Sequence, residues 1–505
     1  GVVEPGCTVE KTGILEHHSV LTMGNTLPAG MRAQGVPATK MEPHDEDGVK
    51  AGSGIDKFIH TFMGFIALPY MMVSGFGVFY FVMNLMVDNP TLHTFDYRVW
   101  LSLWPAFIIT TVILGAACCG FKWALIGRLK PGQLEDDLSI RLSLVKFVSF
   151  LMMRFALFCP RDLRWMLVRG MGGNVAYGSV TDCPLVEVAY ADLLTMEENS
   201  FYSPAAYADF AAFRNGQVIL EEVRLESTAY VGAYSTVSAP VRLPPLSLLA
   251  STSTLATGTE VESSQVWVGS PAKCVPISLG EVTDESHSLG GWPLLKNRII
   301  DLSNHYFVVL LMSSVALMGY HLFADLIWPL EGSVNLVLRT LASFGFILFS
   351  YGATTFGMLP LLRIDTELLR WLCIKDEEIR TEGFERSTWK FNVWHLLSNH
   401  LLPYGLITDL YAGTPLQLWI ARRLGATIGK DVYLANGVGI REFTFTHIHD
   451  NVMLNRGSAL IAHSELPNGR IIMKDINLYP GSSMGFISYI VGGTDLPEGV
   501  LLGSL

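Results

Sequence analysis

The stretch "FTHIHDNVMLNRGSALIAHS", residues 445 to 464, contains three histidines, His447, His449 and His463. Histidine changes its charge near neutral pH, so it can act as a general acid or base, and its neutral imidazole can bind a metal ion. Which of these side chains lie together depends on the backbone, because strands and helices place neighbouring residues on different faces.

His463 is the candidate for proton transfer. It lies just before "SELPNG", a polar interruption where a loop can leave a regular scaffold and cover a cleft. A histidine there could deprotonate an ammonium group as it attacks an acyl carbon. The alternative is a surface histidine at the base of a loop.

The other histidines are weaker candidates. His447 and His449 flank Ile448, so alternation along a strand would place both on the outward side. Two histidines so spaced can chelate a metal, but the H-x-x-x-x-H spacing of the β-helix carbonic anhydrases is absent, and we predict no metal site. Adjacent His17 and His18 would point to opposite faces of a strand.

The composition indicates a membrane protein. Half of the 505 residues are hydrophobic and only 16% are charged. The net charge of −11 gives no reason to expect a nucleic-acid partner. The seven cysteines form no C-x-x-C pair, which disfavours a disulfide framework or a zinc knuckle, and Cys118 and Cys119 fall inside an apolar segment, which disfavours a thiol nucleophile.

Four apolar segments predict two transmembrane helical hairpins, 58 to 87 with 99 to 126, and 304 to 328 with 334 to 362. Each is long enough to cross a hydrocarbon core of about 30 Å. Basic residues follow the second segment, so we expect the soluble parts on the cytoplasmic or topologically equivalent side. These residues are Lys122, Arg128, Lys130, Arg141 and Lys146.

Amphipathic segments follow each hairpin, at 142 to 158 and 387 to 406. Their mixture of aromatic and basic residues suits a helix lying in the membrane interface, and a buried packing helix is the alternative. His321 and Asp325 lie near the end of the third span, where we expect them to be solvated at the interface.

A six-residue period is the most specific pattern in the chain. Three segments, 3 to 21, 201 to 267 and 448 to 502, place an uncharged residue at every sixth position. This step suits a parallel β-helix of triangular cross-section, in which each inward side chain stacks on its counterpart in the next coil. The segments "GQVILEEVRL" (216 to 225) and "GRIIMKDINL" (469 to 478) also align, so the β-helix is repeated.

The predicted fold class is a mixed membrane protein in which transmembrane α-helical hairpins alternate with left-handed parallel β-helix (hexapeptide-repeat) domains. We expect the chain to be a fragment of a longer polypeptide. The predicted domains are the end of a first β-helix (1–42), a transmembrane hairpin (55–130), an interfacial helix (140–168), a second β-helix (169–280), a second hairpin (296–370), amphipathic helices (385–425) and a third, truncated β-helix (426–505).

This alternation, with "KWALIGRLKPG" (122 to 132), "GTPLQLWIARRLGATIGKDVYL" (413 to 434) and a terminal G-x-P-A, resembles one family. It is the membrane-embedded C-terminal region of the ε-poly-L-lysine-synthetase-like nonribosomal peptide synthetases, and the resemblance covers nearly the whole chain. It implies a membrane-bound, acyltransferase-like region that forms amide bonds between aminoacyl groups. The expected partners are the lipid bilayer and the adenylation and carrier domains, with the carrier's phosphopantetheine thioester as the substrate arm and no cofactor bound directly.

The resemblance places site residues in the third β-helix. There "REFTFTHIHDNVMLNRGSALIAHSE" matches the family's acidic entry turn followed by a coil and a histidine, at Glu442 and His463. We predict His463 as the catalytic base, oriented by Glu442 or Asp450. In the middle copy His463 falls on Phe210, which predicts a degenerate, structural copy. The alternative for the whole chain is a non-catalytic scaffold subunit of a larger membrane complex.

Overall fold

The structure is a computed structural model. It divides into two compact units, residues 1–77 with 111–295 and 505, and residues 78–110 with 296–504. The residues that it describes are 2–3, 5–11, 13–15, 19–34, 38, 40–43, 58, 61–62, 78, 81–87, 97–136, 139–155, 164–177, 179–181, 185–203, 206–214, 217–276, 292, 295–296, 298–300, 302–303, 345, 352, 356–357, 359–360, 362–368, 371, 377–385, 388–400, 411–465 and 470–503.

The first unit contains a parallel β-helix, here called the middle β-helix. Its short strands pair in parallel with the strand one coil further on, as Val231 does with Leu249, and three six-residue steps complete this coil. The first face consists of Val180–Thr181, Phe201–Tyr202, Tyr230–Val231, Leu248–Leu249 and Val266–Val268, with antiparallel Lys273–Val275; the second of Asn174–Val175, Leu194–Met196, Val223–Leu225 and Val241–Leu243; and the third of Tyr207–Asp209, Thr236–Ser238 and Thr254–Leu255.

The second unit contains the third β-helix, built in the same way. Leu478 pairs with Leu496, again three six-residue steps away. Its faces are Thr427–Ile428, Thr446–Ile448, Ile476–Leu478 and Asp495–Leu496; Tyr433–Leu434, Met453–Leu454, Ser483–Met484 and Leu501–Leu502; and Gly439–Ile440, Ala459–Ile461 and Tyr489–Val491.

The N-terminal segment also forms coils of three six-residue steps, since Val3 pairs with Leu21 and Val9 with Leu27. The parallel coils of all three segments agree with the six-residue period, while the hand of the coils stays a prediction. The N-terminal strands are Val2–Val3, Thr8–Val9, Ile14–Leu15, Val20–Leu21, Thr26–Leu27, Met31–Gln34 and Lys40–Pro43.

An antiparallel hairpin interrupts each of the two larger β-helices and pairs with a strand from before the coils. The middle hairpin is Ala211–Arg214 with Gln217–Leu220, and its outer strand is Gln133–Asp136. The third hairpin is His463–Glu465 with Arg470–Met473, and the outer strand Phe384–Glu385 flanks it. The described helices are α1 (Tyr97–Leu125), α2 (Ile140–Phe155), α3 (Arg164–Gly170), α4 (Glu377–Thr381), α5 (Trp389–His400) and α6 (Pro415–Leu424), with 3₁₀ segments Leu185–Leu193 and Phe443–Phe445.

The core of each β-helix is a column of inward, largely aliphatic side chains. In the third β-helix Leu454, Leu460 and Leu478 are fully buried. Serines at the corners are buried too, and they satisfy their hydroxyl groups locally: Ser458 and Ser482 each donate to the carbonyl oxygen three residues earlier, at 2.7 Å. A small hydroxyl residue therefore fits the corner without leaving a buried donor unpaired.

Among the described residues, the period predicts the third column with one exception; Leu466, also a predicted position, lies outside them. Ile472 keeps the six-residue step but lies in the hairpin, outside the coils. Ile448 pairs with Leu478, five periods further on, because the hairpin adds two periods to the ordinary coil of three. Because the hairpin adds a whole number of periods, the six-residue spacing stays in phase on both sides of it. The spacing alone therefore does not reveal the hairpin.

In the middle β-helix the period is wrong before the hairpin. The inward residues are Met196, Tyr202 and Ala208, whereas Tyr207, on the predicted column, is 39% exposed. The coil that contains this hairpin is one residue short of five periods, as the pairing of Tyr202 with Val231 shows. The missing residue shifts the frame by one position, and the predicted column is correct from Leu225 onward.

One helix among the described residues is long and apolar enough to cross a membrane. It is α1, over Ile108–Leu125, with a mean hydropathy of 1.8 and 17% of that window buried. Length and composition alone support this reading, and a single such helix is weak evidence for a span. The predicted spans 58 to 87, 304 to 328 and 334 to 362 fall largely outside the described residues, and His17, His18, His321 and Asp325 lie outside them too.

The amphipathic segments contribute to the cores. Helix α2 packs Leu142, Val145 and Val148 against the middle β-helix, and α5 packs Trp394 and Leu397 against the third. These faces behave as buried packing surfaces, the alternative that the sequence leaves open. An interfacial position in a membrane stays a prediction.

A buried ion pair joins the end of α1 to the middle β-helix. Lys122 Nζ lies 2.6 Å from Asp192 Oδ2, and both side chains are fully buried. The same carboxylate oxygen accepts a hydrogen bond from the backbone N–H of Leu129, at 3.1 Å. Any side chain at Gly172 would collide with Asp192 Oδ1, so the pair also requires this glycine.

We expect Lys122→Met to lower the free energy of unfolding by about 3–5 kcal/mol, because it leaves the Asp192 carboxylate buried without a counterion. The control is Glu197→Gln, which breaks the exposed pair with Arg224 and should cost about 1 kcal/mol or less. Denaturant unfolding of the full chain in mild detergent measures both. Equal effects of the two substitutions would contradict the structural role of the buried pair.

The inward column gives a second prediction. Leu454→Ala should destabilise the chain by about 2–5 kcal/mol, because it opens a cavity between coils. Met453→Ala, one residue away and 47% exposed, should change stability by about 0.5 kcal/mol or less. The same unfolding measurement compares them, and a larger loss for Met453→Ala would contradict the assigned faces.

Candidate functional site

Glu442 is a fully buried carboxylate in the third β-helix. It follows the strand Gly439–Ile440 and precedes the 3₁₀ segment Phe443–Phe445, whose two phenylalanines are buried on either side of the turn. Its side chain has no exposure to solvent. An isolated carboxylate in such a place is strongly unfavourable, so its partners determine what it does.

His463 is the principal partner of this carboxylate. Its Nδ1 lies 2.7 Å from Glu442 Oε1, and the backbone N–H of Ala462 donates to Oε2 at 3.0 Å. Both carboxylate oxygens therefore have a partner. The structure brings together the two residues that the resemblance selects, which lie 21 positions apart in the sequence.

The pair leaves the second imidazole nitrogen available. Within the described part of the chain, His463 Nε2 makes no hydrogen bond, and 21% of the side chain is exposed. If Nδ1–H donates to the carboxylate, Nε2 carries the lone pair of the neutral imidazole. A histidine fixed in this tautomer by a carboxylate is the arrangement of a general base.

The pKa of Glu442 lies below its ordinary value. Burial alone would raise this pKa, but the charge of His463 and its hydrogen bond, the charge of Arg441 and the N–H of Ala462 outweigh the effect of burial. The carboxylate therefore remains ionised at neutral pH, and it can hold the imidazole and stabilise its protonated form.

Helix α5 covers one side of the imidazole. The ring of Trp394 lies 4.9 Å from that of His463 at an angle of 68°, an edge-to-face contact. Phe384 and Phe391 pack on Trp394, with centroid distances of 5.9 and 5.8 Å. Trp394 was not among the predicted site residues, although the aromatic run "WKFNVW" is typical of a helix with a face to bury.

Asp450 has a different position. Its Oδ1 accepts a hydrogen bond from the backbone N–H of Lys430 at 2.6 Å, at a corner between coils. Of the two acidic residues considered as the partner of His463, the structure places Glu442 beside it. Asp450 closes a turn instead.

His447 and His449 lie apart from this pair. His447 Nε2 is 3.6 Å from Asp475 Oδ1, and Asp475 also pairs with Arg380 at 2.7 Å. The ring of His449 stacks on Tyr479 at 5.2 Å. Among the residues that the structure describes, no group of three or more His, Cys, Asp or Glu side chains is arranged to hold a metal ion.

The middle β-helix lacks the pair. Its strand Leu194–Met196 pairs with the strand that follows the hairpin, as Thr446–Ile448 does in the third copy. Tyr190 precedes Met196 by the same number of residues as Glu442 precedes Ile448, so Tyr190 is the counterpart of Glu442. The first residue of its hairpin is Ala211, the counterpart of His463. The sequence alignment pointed to Phe210 instead because the hairpin is one residue longer in the third copy.

Part of the chain is similar to a curated protein. The chain is 24% identical over 355 residues to a delta-poly-L-ornithine synthetase of Acinetobacter baumannii (strain AB307-0294). The match covers 65% of this chain, and the chain spans about a quarter of the length of that protein, 25%. No family model matches the chain.

Solved structures similar to this chain include acetyltransferases, the first of them a hexapeptide-repeat protein. One from Vibrio cholerae covers 28% of this chain and 95% of its own, with 12% identity and a TM-score of 0.22. A maltose O-acetyltransferase from Clostridium difficile 630 covers 30% and 95%, with 12% identity and a TM-score of 0.23. A serine acetyltransferase from Neisseria gonorrhoeae covers 45% and 100%, with 15% identity and a TM-score of 0.17. The sequence match relates part of the chain to a poly-L-ornithine synthetase.

Proposed function

We propose that the third β-helix is the catalytic module of a membrane-bound acyltransferase, which forms amide bonds between aminoacyl groups held as thioesters on a carrier domain. The observation that carries the proposal is the Glu442–His463 pair, with Nδ1 held at 2.7 Å and Nε2 unpartnered within the described residues. A buried, ionised carboxylate behind a partly exposed imidazole supplies a base and a counterion for it.

In this reaction the ammonium group of the acceptor transfers a proton to His463 Nε2. The resulting amine attacks the thioester carbonyl carbon, so a C–N bond forms and the C–S bond breaks. The thiolate of the phosphopantetheine arm leaves and takes this proton from Nε2, which frees Nε2 to accept the second proton of the attacking nitrogen. Release of that proton to solvent leaves a neutral amide, a free thiol and the neutral imidazole. Glu442 stays ionised throughout and stabilises the imidazolium while it exists.

The relative supports a polymer of amino acids as the product class, since its name gives poly-L-ornithine. We therefore choose an ornithyl thioester as the first substrate to test. The match covers 25% of that synthetase, and under this proposal the adenylation and carrier domains lie outside the matched region.

The membrane position is part of the proposal. The apolar window Ile108–Leu125 and the basic residues that follow it favour a bilayer as partner, with the β-helices on the cytoplasmic or equivalent side. The middle β-helix, with Tyr190 and Ala211 in place of the pair, would then act as a structural copy. A scaffold role is thus favoured for one module and catalysis for the other.

The test uses the full chain in detergent, with L-ornithyl-S-pantetheine as donor and free ornithine as acceptor, and mass spectrometry to detect the amide. His463→Ala should lower the rate by about 10²–10⁴-fold, the usual contribution of a general base. Glu442→Gln should lower it by about 10–100-fold, because the imidazole loses its orienting partner. His447→Ala is the matched control and should keep the wild-type rate.

Two results would overturn the proposal. A His463→Ala protein that folds normally and transfers at the wild-type rate would remove the base. A wild-type chain without transfer, also when a loaded carrier domain replaces the pantetheine thioester, would favour the scaffold reading.

The lowered pKa of Glu442 gives a pH prediction for stability. A carboxyl whose pKa is lower in the folded chain than its ordinary value of 4.5 stabilises the fold at higher pH, and this contribution is lost as the pH falls through the folded-state pKa. Wild-type chain should therefore exceed Glu442→Gln in stability at pH 6–7, and the gap should shrink below pH 4.5. Denaturant unfolding at several pH values measures the gap, and a gap that widens toward acid would contradict the ionised carboxylate.

A further inference from the structure

We propose that Trp394 is a positioning residue for His463: it holds the imidazole in the plane in which Nδ1 faces Glu442 and Nε2 faces the substrate. This inference rests on the proposed function. The first observation is the contact itself, since the indole and imidazole rings meet edge to face at 4.9 Å and 68°. The Glu442 carboxylate restrains the imidazole ring at Nδ1, and the Trp394 indole restrains it from one side.

The hairpin fixes the direction in which His463 points. His463 pairs with Met473, and Ile471 pairs with Phe384 in the outer strand. Residues paired across neighbouring strands share a face, and these three partners are almost completely buried. His463 therefore lies on the inner face of the hairpin, against α5, where Trp394 closes one side of the imidazole.

The middle module provides an internal comparison. Its outer strand pairs Glu135 with Val218, as Phe384 pairs with Ile471, so the helix that follows can be matched residue by residue. Val145 stands at the place of Trp394. Leu142 and Val148 correspond in the same way to Phe391 and Leu397.

These counterparts show that the fold does not need a tryptophan. Val145 is 1% exposed and belongs to the core of the middle module, so an aliphatic residue fills this position in the same architecture. The module that lacks the Glu442–His463 pair also lacks the aromatic residue that touches the histidine. Packing alone therefore does not account for Trp394.

The indole also has an energetic cost. Trp394 Nε1 is buried and has no hydrogen-bond partner in the described part of the chain. A buried donor that gives up water without a replacement is unfavourable, and a valine or leucine would avoid the cost. Unlike valine or leucine, the tryptophan places a large aromatic ring against the imidazole.

The experiment compares three variants of the full chain in detergent. Trp394→Val installs the residue of the middle module, Trp394→Phe keeps an aromatic ring without the unpaired N–H, and Leu397→Val makes the matching helix position resemble Val148. Two readouts are used: steady-state kinetics with L-ornithyl-S-pantetheine, and the rate at which diethyl pyrocarbonate modifies His463, with exposed His449 as the internal reference.

We expect Trp394→Val to lower kcat at least tenfold with less than a twofold change in KM. It should also raise the modification rate of His463 relative to His449 severalfold, because the imidazole loses its contact with the indole ring. Trp394→Phe should restore most of both values, and Leu397→Val should leave both unchanged. Equal losses for Trp394→Val and Leu397→Val would show a packing role and overturn the inference.

The second readout separates the two proposals. Suppose that the wild-type chain performs no transfer, but Trp394→Val speeds modification of His463 and Leu397→Val does not. The proposed function then fails and the positioning role of Trp394 stands. If transfer occurs and neither kcat nor the modification rate responds to Trp394→Val, the positioning fails and the proposed function stands.

Discussion

The stacking of coil on coil is the constraint on which both β-helical modules depend. In regular coils, such as those that join Val231 to Leu249 and Leu478 to Leu496, each short strand pairs in parallel with the one three six-residue steps later, so the same repeat provides the backbone hydrogen bonds and the inward column. None of these very short strands would be stable alone. Each is stable in the stack because the strands of the neighbouring coils form hydrogen bonds with its edges and pack against its inward side chain. This regularity leaves few places where chemistry can be built.

The hairpin is such a place. After Ile461 the chain leaves the third β-helix, forms the antiparallel pair His463–Glu465 with Arg470–Met473, and returns at Ile476 to the face that it would have reached directly. The departure puts His463 at the boundary between the rigid coil that carries Glu442 and the helix that carries Trp394. A functional side chain can thus be fixed from two sides without disturbing the column.

The sequence predicted the period and the copies, and the family resemblance pointed to His463 with either Glu442 or Asp450 as its partner. The period gave wrong positions where a hairpin interrupts the coils. A hairpin that adds two whole periods leaves the six-residue phase intact, so Ile472 resembled a column position. The middle hairpin is one residue shorter, which shifted the frame and pointed to Tyr207 instead of Ala208. Trp394 could not be found from spacing, because its contact with His463 is made by a helix from before the coils.

The two modules separate what the fold needs from what the site needs. Both keep the hairpin, the outer strand and the packing helix, so these are requirements of the architecture. The third module alone buries a carboxylate at this position, and the hydrogen bonds from His463 and Ala462 offset the loss of solvation. In the middle module Tyr190 stacks on Phe210, 6.2 Å away, and the same region is apolar. Because an apolar version of this fold exists within the same chain, the fold does not require the buried charge of Glu442, in agreement with the role proposed for the Glu442–His463 pair.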